Sequence, residues 1–87
     1  MNDLQTSLLV LLDYVNKYAH PHRFLPYVAE SLNAMIEELE NNGVITKKLR
    51  ELALGLGLFI SDDFEFSESD TGTKILEVIN PILRSEE

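Results

Sequence analysis

Two places in the chain combine side-chain types and spacings that bear on chemistry: His20-Pro21-His22, and the acid-rich stretch Ser61–Asp70. A His-x-His pair can hold a divalent metal, but a zinc site needs a third and fourth donor and groups that orient them. No donor at ligand spacing completes the pair, so no metal is expected there. A histidine that caps a helix carbonyl or is simply solvated is the expected role. The acidic stretch fails as a calcium loop. Counted from Asp63, Glu65 and Ser67 fall on ligand positions, but Glu68 stands where the sharp turn needs glycine and Lys74 where a bidentate glutamate belongs. Counted from Asp62, Phe64 takes a ligand position and cannot coordinate.

The same stretch reads better as an interaction face. Asp62, Asp63, Glu65, Glu68 and Asp70 are interleaved with Phe64 and Phe66 at a spacing of two. In extended backbone both rings then point the same way. They can pack down on the protein and hold the segment while the acids face water. Alternatively they form an exposed aromatic pair ringed by negative charge, suited to a basic partner whose approach the acids steer. These seven residues are the candidate partner-binding set.

Lys47, Lys48 and Arg50 crowd the start of a helix, where positive charge is mildly unfavourable. Local pairing with Glu37, Glu38 and Glu40 across the Gly43 turn is expected, ahead of an anion or acidic-peptide site. For catalysis the inventory is thin. Gly55-Leu56-Gly57 lacks the later glycine and the Lys-Ser/Thr of a phosphate loop. Neither histidine sits in a nucleophile arrangement, and the adjacent Glu37 and Glu38 diverge by about 100° on a helix. No enzyme and no cofactor are expected.

Helices must position these residues. Leu4, Leu8, Leu11, Leu12, Val15, Tyr18 and Ala19 repeat at the helical period, which predicts a helix over about 3–19 that stops before Pro21. Pro26 opens a second over 26–42, with Val28, Leu32, Met35, Ile36 and Leu39 as its apolar stripe and Asn41-Asn42-Gly43 as its stop. Thr46 caps a third over 46–60 through Leu49, Leu52, Ala53 and Leu56, with Leu54 and Leu58 making it apolar on nearly every side, as in a central element. The Leu-Gly-Leu-Gly-Leu run admits a short hairpin near 56–67 as the alternative. A loose Ser67-x-x-Asp70 capping box starts a fourth helix over 68–84, which Pro81 kinks or ends early.

The expected fold is therefore one all-α domain over 1–87, a small antiparallel four-helix bundle. Leu, Ile, Val and Phe supply roughly a third of the 87 residues, well above the ~20% below which charged chains stay disordered. Without cysteine there is neither disulfide nor thiolate metal site. The longest apolar run, Leu52–Ile60, is less than half of the ~20 residues that span a bilayer, and no basic residue precedes Leu8–Leu12 as in an export signal. A cytoplasmic location is expected. Fifteen acids against seven bases, net charge −8, disfavour a domain that embraces phosphate backbones.

The run Asn41-Asn42-Gly43 followed by Thr46-Lys47-Lys48-Leu49-Arg50 is similar to a stretch in small bacteriocin-immunity bundles. It is ordinary helix–turn–helix chemistry and assigns no family. The expected function is a small acidic, non-enzymatic protein-protein interaction module, an adaptor, inhibitor or immunity-type protein that binds a basic surface. The alternative is a nucleic-acid-related regulator that mimics DNA charge or governs a DNA-binding protein. The broad apolar faces of Leu8–Leu12 and Leu52–Ile60 point to a homodimer or an obligate partner.

Overall fold

The computed structural model describes residues 3–17 and 22–84. Helix α1 spans Asp3–Lys17, α2 Leu25–Asn42, α3 Lys47–Ser61, α4 Phe64–Glu68 and α5 Asp70–Arg84. The expected continuation of α1 through Tyr18 and Ala19, and its stop at His20-Pro21, lie outside the described residues. α1, α2, α3 and α5 form a closed ring in which each helix touches two neighbours and misses the one diagonally opposite, while α4 fills the corner between α3 and α5.

Contacts between opposite helix ends make the ring antiparallel. Gln5 near the start of α1 donates to Glu40 near the end of α2. Tyr27 at the start of α2 stacks on Phe59 at the end of α3. Lys74 early in α5 lies 5.3 Å from the Tyr14 ring late in α1. Up-and-down helices with short links thus enclose one core.

Side-chain period explains which faces turn inward. Leu8, Leu11 and Val15 from α1 meet Val28, Leu32, Met35, Ile36 and Leu39 from α2. Leu49, Ala53, Leu56 and Ile60 from α3 meet Ile75, Ile79 and Ile82 from α5. Apart from the adjacent Met35 and Ile36, successive members sit three or four residues apart, the spacing that keeps one helical stripe on one side. α3 is not wrapped on all sides, however. Leu54 and Leu58 are 50% and 60% exposed, because α3 has neighbours only on the side that carries Leu49, Ala53 and Leu56.

Local chemistry sets the ends. Gly43 adopts φ 70°, the left-handed cap that a β-carbon disfavours, and donates to the Leu39 carbonyl at 2.7 Å. Thr46 Oγ1 accepts the Leu49 amide at 3.1 Å and donates to Glu38 Oε1 at 3.0 Å, tying the start of α3 to α2. Among the described residues there is no strand: residues 56–61 complete α3 and residues 64–68 form α4, so the hairpin alternative is excluded. Gly57, which suggested a strand, instead lets α3 and α5 approach; a β-carbon there would lie 3.2 Å from Ile79 Cδ1.

The expected 68–84 helix is displaced at its start. Ser69, rather than Ser67, is the cap of α5: its Oγ accepts the Gly72 amide at 3.1 Å, whereas Ser67 Oγ donates back to the Phe64 carbonyl. Pro81 does not end α5 early. It sits exposed near the last turn, where removing one ladder donor is tolerated, and the helix runs on to Arg84. Gly72 is buried, and a β-carbon there would fall onto the Phe66 carbonyl oxygen.

The glycines therefore separate under substitution. Gly72→Ala should lose about 2–3 kcal/mol despite alanine's better helix propensity, because α4 and α5 must part to admit the methyl. Gly55→Ala, at a site where a β-carbon meets nothing within 4 Å, should gain about 0.5–1 kcal/mol. Urea unfolding of the two variants against the parent measures both signs.

Candidate functional site

The acid-rich segment begins as α3 runs out. Asp62 keeps helical backbone angles and donates to the Leu58 carbonyl at 3.1 Å. Asp63 turns to an extended conformation, and its Oδ1 accepts the Phe66 amide at 2.9 Å, which caps α4. Its other oxygen lies 3.9 Å from Arg23 Nη2. Among the seven candidate residues Asp63 is therefore structural.

The backbone from Phe64 to Glu68 is helical, and this separates the two phenylalanines. Two residues along a helix turn the side chain through about 200°, against the same-side arrangement of a strand. Phe66 is 3% exposed and Phe64 is 76% exposed. The expectation that both rings point the same way is corrected: one packs and the other faces water. Packing and display, weighed above as alternatives for the pair, are divided between its members.

Phe66 closes an aromatic cluster at this end of the bundle. Its ring centroid lies 4.5 Å from His22 and 5.4 Å from Phe24. Phe24 stacks edge-on to Phe59 at 4.6 Å, and Phe59 meets Tyr27 at 4.4 Å. Among the described residues His22 caps no helix carbonyl, nor does it stand free in water. It is half-buried, its ring lies against Phe66, and its Nδ1 accepts the Phe24 amide at 3.1 Å. That bond orients the chain into α2. His20 lies outside the described residues, and among those described no three His, Asp or Glu side chains converge where a metal ion would sit. Single-sequence reasoning did not identify this cluster, because its members come from four segments and share no period.

Asp62, Glu65, Glu68 and Asp70 are exposed. Asp70 also stands in the first turn of α5, where a carboxylate complements the positive helix end. Around α3's start, Lys48 Nζ lies 3.9 Å from Glu38 Oε2. Glu38 is the acid that gathers the turn, since it also accepts from Asn42 Nδ2 at 3.1 Å. Glu40 instead accepts from Gln5, and Glu37 is exposed. A shallow open groove between α1 and α5, lined by Thr6, Val10, Tyr14, Lys74 and Glu77, was not foreseen. The broad Leu8–Leu12 stripe was its only signal.

Phe66→Ala should cost about 3–5 kcal/mol, since it empties the cluster that holds α4 and the 22–25 connector. Phe64→Ala should leave stability within about 0.5 kcal/mol. Chemical unfolding of both variants checks the contrast, and comparable losses would mean that Phe64 packs after all. No family model, no curated protein and no solved structure matches the chain.

Proposed function

We propose that the chain is a small acidic, non-enzymatic protein-binding module, of adaptor, inhibitor or immunity type, whose segment 62–70 receives a basic surface on a partner protein. The observation that carries this reading is Phe64. A phenylalanine 76% exposed on a capped turn of helix, with Glu65, Glu68 and Asp70 exposed beside it, pairs an apolar anchor with a negative rim. Burying one such ring in a partner contributes about 1.5–3 kcal/mol, and the surrounding carboxylates speed encounter with positive charge. Phe66 beneath and the Asp63 cap keep the turn in place before binding, which limits the ordering cost. The half-exposed Leu9, Val10, Leu54 and Leu58 further support self-association as part of the same binding role.

The test leaves Asp63 in place, because its side chain caps α4, and Asp62, because it belongs to the end of α3 rather than to the turn that carries Phe64. Affinity capture from extract of the source cells, with the parent as bait, should yield basic proteins whose retention falls as salt rises. Phe64→Ala, and separately the triple variant E65Q/E68Q/D70N, should each reduce that yield several-fold. Equal capture by parent and both variants overturns the assignment of this segment.

A further inference from the structure

The outward face of α3 carries charges that oppose the helix dipole at both ends. Lys47 and Lys48 stand at the positive N-terminal end, Asp62 at the negative C-terminal end. Between them on the same face lie Glu51, Leu54, Gly55 and Leu58, all exposed. At about 100° per residue these seven positions fall within an arc of about 120°. Leu54 and Leu58 are 50% and 60% exposed, and no atom of the fold requires a glycine at 55. Lys48 is already engaged with Glu38, whereas no ion pair to Lys47 occurs among the described residues.

We propose that this face docks a second copy of the chain, the two α3 helices antiparallel about a twofold axis between Leu54 and Gly55. The register follows from the sequence. Leu54 of one copy then lies over Gly55 of the other, where the missing side chain lets the helices close together. The stem of Glu51 runs along Leu58, and Lys47 meets Asp62. Symmetry makes each contact twice. Each end whose charge is unfavourable within its own helix faces the opposite charge of the other copy, and the two macrodipoles oppose one another favourably. Exposed leucines, an exposed mid-helix glycine and the reversed end charges thus acquire one explanation. One helix per copy buries less than the ~800 Å² per partner of a standard interface, so the dimer is weak, in the micromolar range, and loosens with salt.

The inference rests on the reading of the chain as a binding module. Gly55→Gln, Leu58→Glu and Lys47→Asp all lie outside segment 62–70, so capture of a basic partner and self-association can fail independently; Asp62→Lys serves only to test the charge pairing. Sedimentation equilibrium of the full chain, from low micromolar to several hundred micromolar at low and high salt, reads the dimer directly. Gly55→Gln and Leu58→Glu should each weaken it at least tenfold. Lys47→Asp and Asp62→Lys should each weaken it, and the double variant K47D/D62K should return it to the parent's affinity. Both charge changes agree with the helix dipole and glutamine favours helix over glycine, so the monomer's thermal midpoint should hold or rise in these variants. A chain monomeric at every concentration in low salt overturns the proposal. So does a dimer indifferent to Gly55→Gln and Leu58→Glu, or a double variant no tighter than the single ones.

Discussion

A β-carbon on residue 72 would fall onto the Phe66 carbonyl oxygen, and the return of α5 along α3 depends on that space being empty. Ser69 reinforces the corner: its hydroxyl donates to the same carbonyl at 2.6 Å and accepts the Gly72 amide at 3.1 Å. With α4 and α5 locked at this distance, Ile75, Ile79 and Ile82 reach the ring's interior and Phe66 drops into the aromatic cluster. A larger residue at 72 would push the corner apart and open both. At 87 residues the chain has little core to spare, since small domains bury a smaller share of their surface.

The same corner governs the surface. Asp63 is drawn into capping and toward Arg23, whose guanidinium carbon also lies 5.1 Å from the Phe24 ring centroid. The remaining acids of the segment stay outward, and the turn of α4 sends Phe64 away from the core. Rigid presentation and negative charge thus come from one local device, a five-residue helix capped at its start by Asp63 and followed at once by the Ser69 cap. Elsewhere, charge follows simpler rules. Lys17 and Asp13 pair at 2.8 Å one turn apart, and the hydrogen bond to Asp13, then its charge, raises the lysine above its ordinary pKa. Both side chains are more than half exposed, so this pair trims the end of α1 without deciding the fold.

Much of the fold was legible in the residues. The apolar stripe of α2 was read without error, because Val28, Leu32, Met35, Ile36 and Leu39 repeat at 3.6 residues and Pro26 and Gly43 mark both ends. Thr46 announced α3 in the same way. The acidic segment was less legible. Alternating acids and phenylalanines satisfy a strand's period of two, and nothing local reveals that Asp63 starts a turn of helix. Likewise Leu54 and Leu58 made α3 look wrapped on every side, although its neighbours occupy only one.

Composition and periodicity determined by themselves that the chain is mainly helical, acidic and organised around one apolar interior, because burying a stripe and solvating charges are properties of single segments. Which phenylalanine packs, where α5 begins and which leucines remain in water were decided only by the assembled bundle. Those outcomes turn on the close approaches at Gly57 and Gly72, and on neighbours contributed by distant parts of the chain. No window of sequence contains that information, since it arises when four helices meet.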